Sequence, residues 1–227
     1  MIVCEYNPDQ SHEDTTTYTV NANGNVTARG NDSFTYDQAN RLTSATIGGA
    51  TWTYTYDGDG KRTSQTVGSA NLNYVYDVNK SLPDVLSDGT YTDVYGVGLA
   101  FAVDSSGNLQ VYHTDGLGSV RAITDNNGNV IQTYQADAFR VPTQAQVTSA
   151  QPFQFTGQQV DYNGLVYLRA RYYDPTSGRF LSRDPLAGSL LDPLSLNRYS
   201  YVANNPASLV DPSGMVAQVG RGAYTRA

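Results

Sequence analysis

Four aspartates that are each followed by proline form the densest pattern of acidic side chains in the C-terminal part of the chain. They are Asp174, Asp184, Asp192 and Asp211. Proline fixes its own φ and drives the preceding residue towards an extended conformation, so each pair predicts a stiff corner. The carboxylate at such a corner can accept hydrogen bonds from nearby backbone N–H groups. By themselves, the four pairs are therefore interpreted as turn corners with Asx-type hydrogen bonds.

These corners lie in the segment 164–215, the part of the chain that is richest in arginine and tyrosine. Arg171 stands in an Arg-Tyr-Tyr-Asp-Pro sequence, Asp184 in Arg-Phe-Leu-Ser-Arg-Asp-Pro, and Asp211 in Asp-Pro-Ser-Gly. Residues 166–169 alternate apolar and polar side chains, which predicts a strand that leads into the first corner. We interpret the segment as the compact unit that the rest of the chain surrounds.

Histidine and cysteine offer little for catalysis or metal binding. His113 stands beside a predicted hairpin tip at Asp115–Gly118, and His12 is the other histidine. Neither has a cysteine or acidic partner at ligand spacing, so we expect no metal. The glycines of the tip lack the Lys-Ser/Thr pair and the helix of a phosphate loop, so we expect no cofactor there. Cys4 is the only cysteine, which excludes an internal disulfide.

The composition is that of a β-sheet protein with many turns. The 227 residues include 18 Tyr and 21 Gly but only 15% charged residues, which disfavours both helices and disorder. A net charge of −7 argues against nucleic-acid binding. The N-terminal residues show no signal peptide, and no stretch approaches the roughly 20 apolar residues of a membrane-spanning helix.

A repeat of 20 residues organises the first part of the chain. Tyr-Asp recurs at Asp37, Asp57 and Asp77, each time with aromatic residues two positions apart on one strand face. A turn and a Thr/Ser/Val-rich run follow each aspartate. Stacked strand–turn–strand units of this kind can bury a shared tyrosine-lined face. We therefore predict an all-β fold: a curved antiparallel sheet of consecutive β-hairpins, with a compact C-terminal core plug against its inner face.

The remaining boundaries follow from local patterns. Residues 1–160 are predicted to form the hairpin sheet, residues 161–215 the core, and residues 216–227 a short tail. Strand character is expected at 151–162 through Phe153 and Phe155, after an irregular connection at 141–150. Only 186–197 and 203–209 could hold a helical turn or two.

The Tyr-Asp units resemble those of RHS/YD-repeat proteins, and the segment 164–215 resembles their C-terminal RHS repeat-associated core. The resemblance implies a hairpin sheet coiled into a hollow shell around a toxin or effector, as in polymorphic toxins and insecticidal toxin complexes. Related repeats form the extracellular barrel of teneurins. It also implies partners, namely the rest of an RHS shell or copies of this chain, and toxin or effector cargo in a longer parent. The expected location is secreted or cell-surface, through that parent or an export system.

The resemblance further implies chemistry, because the family's core is an aspartyl autoprotease that cuts after its last Asp-Pro-x-Gly-Leu. The paired aspartates match Asp184 and Asp211, the family's arginine matches Arg171, and the scissile bond falls at Met215–Val216. Two adjacent carboxylates share a proton, so one can act as base on water while the other protonates the carbonyl or leaving amine. A guanidinium fork would hold one carboxylate ionised and oriented.

Several alternatives stay open at this point. Ala187 and Met215 stand where the family has Gly and Leu, and about five extra residues separate the two halves of the motif. Asp192 could therefore replace Asp184 as the partner of Asp211. A structural shell or surface-adhesion protein without catalysis is a second hypothesis. A third is a carbohydrate-binding module, in which exposed tyrosines stack on cell-surface glycans.

Overall fold

The computed structural model describes residues 16–142 and 151–220, and regular structure in these ranges is almost entirely β-strand. Three single-turn 3-10 helices are the exception. The predicted all-β class is confirmed. Cys4, His12 and most of the connection 141–150 lie outside the described residues. No helix in the described part of the chain is long and apolar enough to cross a membrane.

Two seven-stranded antiparallel sheets carry the repeats, and in both the strands pair in the order of the sequence. The first hairpin sheet comprises β1 (Tyr18–Val20), β2 (Val26–Arg29), β3 (Asp32–Tyr36), β4 (Leu42–Ile47), β5 (Ala50–Tyr56), β6 (Arg62–Val67) and β7 (Ala70–Asn73). The second comprises β8 (Val75–Asp77), β9 (Asp84–Ser87), β10 (Tyr91–Tyr95), β11 (Leu99–Asp104), β12 (Leu109–Thr114), β13 (Val120–Thr124) and β14 (Val130–Thr133). The prediction of consecutive hairpins is confirmed.

The repeated aspartate builds the turn between many of these strands. In the turn after β5, Asp57 Oδ1 accepts hydrogen bonds from the backbone N–H groups of Asp59 (3.0 Å) and Lys61 (2.9 Å). The N–H of Gly60 donates to the Asp57 carbonyl at 3.1 Å, and Gly60 has a φ of +85° that favours glycine. The predicted tip at 115–118 has the same arrangement.

The repeated tyrosine links each hairpin to the one before it. Its hydroxyl donates to a backbone carbonyl of an earlier strand, from Tyr36 to Val26 (2.9 Å), from Tyr56 to Leu42 (2.6 Å) and from Tyr76 to Arg62 (2.7 Å). The Tyr-Asp pair therefore has two tasks, since the aspartate closes a turn and the tyrosine fixes the spacing of neighbouring hairpins.

A third, four-stranded sheet forms the plug. It comprises β15 (Gln159–Val160), β16 (Val166–Leu168), β17 (Arg171–Asp174) and β18 (Arg179–Phe180), and every residue of β16 and β17 is buried. Tyr167 and Tyr172 share one apolar cluster with Phe34, Trp52 and Tyr54 of the first hairpin sheet. The core sheet thus packs on the tyrosine-lined face, as predicted.

An ion pair that the sequence did not reveal crosses this interface. Arg62 on β6 is wholly buried, and its Nη1 lies 2.8 and 2.7 Å from the two carboxylate oxygens of Asp161. The Tyr172 hydroxyl accepts from the same nitrogen at 2.9 Å, and the guanidinium carbon lies 4.3 Å from the Tyr167 ring centroid. The first hairpin sheet is therefore connected to the plug by a charged pair as well as by apolar contact.

Two local predictions need correction. Residues Phe155–Gly157 form a 3-10 turn rather than strand, because the Thr156 N–H donates to the Ser119 side chain (2.9 Å) while Val120 pairs with Gln154. The 3-10 turn at Val202–Asn204 begins before the predicted range 203–209, whereas that at Pro193–Leu196 falls inside 186–197. A last hairpin joins β19 (Leu209–Val210) to β20 (Gln218–Val219), so the predicted tail begins within it.

Candidate aspartate–arginine site

The last hairpin carries Asp211 at its turn. Asp211 Oδ1 accepts hydrogen bonds from the backbone N–H of Met215 (3.1 Å) and from the Ser213 hydroxyl (2.9 Å). The Gly214 N–H approaches the Asp211 carbonyl at 3.4 Å, as in the aspartate turns of the repeats. In addition, the N–H of Val216, five residues after the aspartate, donates to Asp211 Oδ1 at 3.1 Å. The nitrogen of the predicted scissile bond is therefore bound to the predicted aspartate.

The backbone of this turn lies tightly against the bend between β16 and β17. Gly214 has a φ of +70°, and a Cβ there would overlap the carbonyl oxygen of Leu168 and the backbone nitrogen of Arg171. The Arg171 Nε donates to the Gly214 carbonyl, and the Ala170 N–H donates to the Ser213 carbonyl at 3.2 Å. The only residue that fits this close approach is glycine.

Arg171 lies between the two predicted aspartates. Its Nη2 is 2.8 Å from Asp184 Oδ2 and 3.7 Å from Asp211 Oδ2. The guanidinium carbon stacks 3.6 Å from the Phe180 ring centroid, and Nη1 donates to the Arg198 carbonyl at 3.3 Å. The structure therefore brings Arg171, Asp184 and Asp211 together around one nitrogen atom.

The two carboxylates differ in their exposure. The side chains of Asp211 and Arg171 are each 4% exposed, whereas that of Asp184 is 18% exposed. Burial lowers the pKa of Arg171 below its ordinary value, and the charges of Asp184 and Asp211 oppose that effect. Solvent can reach Asp184, while Asp211 is enclosed by its own turn.

Backbone contacts hold Asp184 in place. Its Oδ1 accepts from the Leu186 N–H at 2.8 Å, and its own N–H donates to the Arg198 carbonyl at 2.9 Å. The Arg198 guanidinium donates in turn to the Asp184 carbonyl. Arg198 and Ser213 are the supporting residues that sequence reasoning missed. Ser213 could have been found, since a hydroxyl two residues after a turn aspartate commonly bonds to it.

The other two Asp-Pro pairs lie away from this cluster. Asp174 is buried, forms an ion pair with Arg29, and accepts from the N–H of Thr176 at 3.0 Å, so it serves as a corner. Asp192 is exposed and lies in the loop between Asp184 and Arg198, which also contains five exposed leucines. Asp184, and not Asp192, is the aspartate beside Arg171.

His113 lies on the outer face of β12, where its Nε2 is 3.0 Å from the Thr124 hydroxyl. Within residues 16–142 and 151–220, no group of three or more His, Cys, Asp or Glu residues could hold a metal ion.

The fold is a meander of antiparallel hairpins that tyrosine hydroxyls link, that aspartates turn and that a buried plug covers. These features define a YD-repeat shell protein. The chain belongs to the teneurin YD-shell family, whose model matches residues 5–207. Asp184 and Arg171 lie within the matched residues, whereas Asp211 and Met215 follow them.

Known proteins that this chain is similar to are long, and many are named as toxins. The chain is 36% identical over 218 residues to the tRNA3(Ser)-specific nuclease WapA of Bacillus spizizenii and to the tRNA nuclease WapA of Bacillus subtilis, covering 89% of this chain and 9% of each relative. It is 38% identical over 109 residues to toxin protein Tse5 of Pseudomonas aeruginosa, covering 48% of this chain and 8% of that protein. The chain thus spans less than a tenth of their length.

Solved structures share the fold. The Photorhabdus luminescens Tc holotoxin pore matches with a TM-score of 0.68 at 21% identity, covering 88% of this chain and 11% of that one. The crystal structure of TcdB2-TccC3 matches with a TM-score of 0.67 at 20% identity, covering 92% of this chain and 13% of that one.

Proposed function

We propose that this chain is the C-terminal part of a YD-repeat shell that encloses a toxin or effector, and that its core cuts the Met215–Val216 bond. The observation that carries the second part is the position of Arg171 between two carboxylates, one of which binds the Val216 nitrogen. An ordinary turn aspartate, such as Asp57, is paired with a lysine, and its Oδ1 accepts the N–H groups two and four residues later but not the one five residues later. The same two features support an aspartyl autoprotease over a plain corner.

The geometry suggests how the two carboxylates divide the work. Asp184 is paired with Arg171 at 2.8 Å and is the more exposed, so it is the carboxylate that water can reach, and it takes the proton from water. The resulting hydroxide adds to the Met215 carbonyl carbon. Asp211 Oδ2 receives no hydrogen bond from the described residues, so this oxygen is the one that can carry the proton of the general acid.

Bond breaking then involves Asp211. The proton of Asp211 passes to the Val216 nitrogen as the C–N bond breaks, which leaves a Met215 carboxylic acid and a Val216 amine; the carboxylic acid then returns a proton to Asp211 and becomes a carboxylate. Arg171 Nε donates to the Gly214 carbonyl, and Ser213 Oγ accepts from the N–H groups of Met215 (3.1 Å) and Val216 (3.2 Å), so both hold the loop that carries the breaking bond. Because substrate and catalyst belong to one chain, positioning supplies much of the rate enhancement and one turnover is enough.

Intact-mass spectrometry of the expressed chain tests this proposal. We expect loss of residues 216–227 from the wild type and a full-length mass for Asp211→Asn and Asp184→Asn. Asp174→Asn is the matched control, because it removes another buried Asp-Pro carboxylate with an arginine partner but lies outside the cluster. Circular dichroism confirms that each variant is folded. A wild type that stays full-length after long incubation refutes cleavage and leaves a structural plug.

The terminal strands of the sheets support the shell, and the burial of the tyrosines argues against glycan binding. Strands β1 and β14 are terminal strands of the two hairpin sheets, and the edge of a sheet can accept further strands. The partners would be the rest of an RHS shell or copies of this chain, with a secreted or cell-surface location through a longer parent. The tyrosines of the inner face, including Tyr54 and Tyr74, are buried, which favours packing over stacking on glycans. Sedimentation velocity tests association through the terminal strands, for which we expect a sedimentation coefficient that rises with protein concentration.

A further inference from the structure

Arg140 occupies a backbone position that glycine or asparagine takes elsewhere in this protein. It lies at the end of a turn in which its N–H donates to the Asp137 carbonyl at 3.1 Å and the Val141 N–H donates to Asp137 Oδ1 at 2.8 Å. Its φ is +77°, which is strained for a residue with a long side chain. The equivalent turn positions are held by Gly24, Asn40, Gly60, Gly107, Gly118, Gly128, Gly164 and Gly214.

The side chain of Arg140 is buried without an acidic partner. It is 8% exposed, its Nη2 donates to Gln154 Oε1 at 2.5 Å, and its buried Nε has no hydrogen-bond partner among the described residues. No carboxylate of the described residues lies within 4.0 Å of the guanidinium, whereas the buried Arg62 and Arg171 are both paired. Burial lowers the pKa of Arg140 to about 10. A buried cation that lacks its counter-ion is expensive to maintain for packing alone.

Arg140 lines a cavity of about 310 Å³ where the second hairpin sheet meets the plug. Val120, Phe155 and Pro206 form apolar walls, and Arg121 also lines the cavity, paired with Asp115 at 2.8 Å. Asp137 lines it too, with Oδ1 committed to the Val141 N–H. The cavity therefore contains one guanidinium that has no carboxylate partner among the described residues, and its other surfaces are mainly apolar.

We propose that this cavity binds a carboxylate of a polypeptide, either an acidic side chain or a chain terminus, with Arg140 as its counter-ion. The guanidinium fork, whose Nε–H has no partner among the described residues, matches the two oxygens of a carboxylate. The apolar walls suit the methylene stem that carries such a group. A phosphate, with its higher charge, would lie close to the Asp137 carboxylate and is disfavoured. This site is separate from the aspartate–arginine cluster, so its failure leaves the proposed cleavage untouched.

Isothermal titration with three peptides tests the proposal on the full chain. Acetyl-Ala-Glu-Ala-amide offers a side-chain carboxylate, acetyl-Ala-Ala-Ala offers a terminal carboxylate, and acetyl-Ala-Gln-Ala-amide offers none. We expect one of the first two to bind and so to identify the source of the carboxylate. Arg140→Gly should raise the dissociation constant at least about tenfold, because a hydrogen-bonded charge is lost. Lys80→Gln, a distant variant that also removes one positive charge, should bind as the wild type does.

Stability separates a binding role from a packing role. Glycine relieves the positive φ, so Arg140→Gly should melt at or above the wild-type temperature, and Arg140→Asn, which copies Asn40 of an equivalent turn, should behave alike. Lower melting temperatures in both variants would show that Arg140 supports the fold, and would overturn the proposal. It is also overturned when neither acidic peptide binds, when the glutamine peptide or inorganic phosphate binds as well, or when Arg140→Gly binds unchanged.

Discussion

Replacing Asp161 with asparagine removes the carboxylate that both neutralises and hydrogen-bonds Arg62. The arginine side chain is 0% exposed and that of Asp161 is 2% exposed, so the cation left behind can reach no solvent. Breaking a buried pair in this way costs about 3–5 kcal/mol, and the four tyrosine rings around the guanidinium offset only part of that. We expect the free energy of unfolding to fall by about 3 kcal/mol or more.

A double-mutant cycle refines this prediction. Leu42 occupies the position in β4 that Arg62 occupies in β6, because each pairs with the tyrosine of its Tyr-Asp unit. An apolar residue is therefore compatible with this site, and Arg62→Leu combined with Asp161→Asn should be more stable than Asp161→Asn alone. Urea unfolding followed by tyrosine fluorescence measures all four proteins. Additive losses, or a loss below about 1 kcal/mol for Asp161→Asn, would show that the buried pair does not couple the two residues.

Three further predictions concern separate parts of the molecule. Burial, assisted by the charge of Asp88, raises the pKa of Asp93 to about 7, so the folded state holds a proton that the unfolded state releases. The free energy of unfolding should therefore fall by up to about 4 kcal/mol as pH rises from about 4 to 7. In Asp93→Asn, the urea midpoint should depend less on pH across that range. Gly214→Ala should displace the loop against Leu168, which lowers stability by about 1–3 kcal/mol and prevents self-cleavage while circular dichroism still reports β-sheet. Tyr56→Phe removes the 2.6 Å hydrogen bond to the Leu42 carbonyl and should lower the free energy of unfolding in urea by about 1 kcal/mol. A variant as stable as the wild type would show that this hydrogen bond does not stabilise the packing of neighbouring hairpins.

The hairpins were predictable because their signals are local. An aspartate that accepts two backbone N–H groups, and a glycine with positive φ three residues later, define a turn within five positions of sequence. Alternating aromatics then specify which strand face is buried. Residues 155–157 were mispredicted as strand because the Thr156 N–H is taken by the side chain of Ser119, which is distant in sequence.

Long-range contacts were less accessible. The convergence of Arg171, Asp184 and Asp211 was expected only through family resemblance, because local patterns identify each Asp-Pro merely as a corner. Arg62 was missed since an arginine after a lysine suggests an exposed turn, although its alignment with Leu42 marks it as inward-facing. Its partner Asp161 belongs to another turn, and no local rule connects the two.

Self-cleavage during refolding shows whether the aspartate–arginine cluster cuts its own chain. The full-length chain is isolated unfolded from inclusion bodies in urea and refolded at two protein concentrations that differ about tenfold, and its mass is followed over time. An intramolecular reaction predicts a product that ends at Met215, formed at a rate independent of concentration, and none from Asp211→Asn. A persistent full-length mass, a rate that rises with concentration, or equal cleavage of Asp211→Asn would exclude self-cleavage by this cluster.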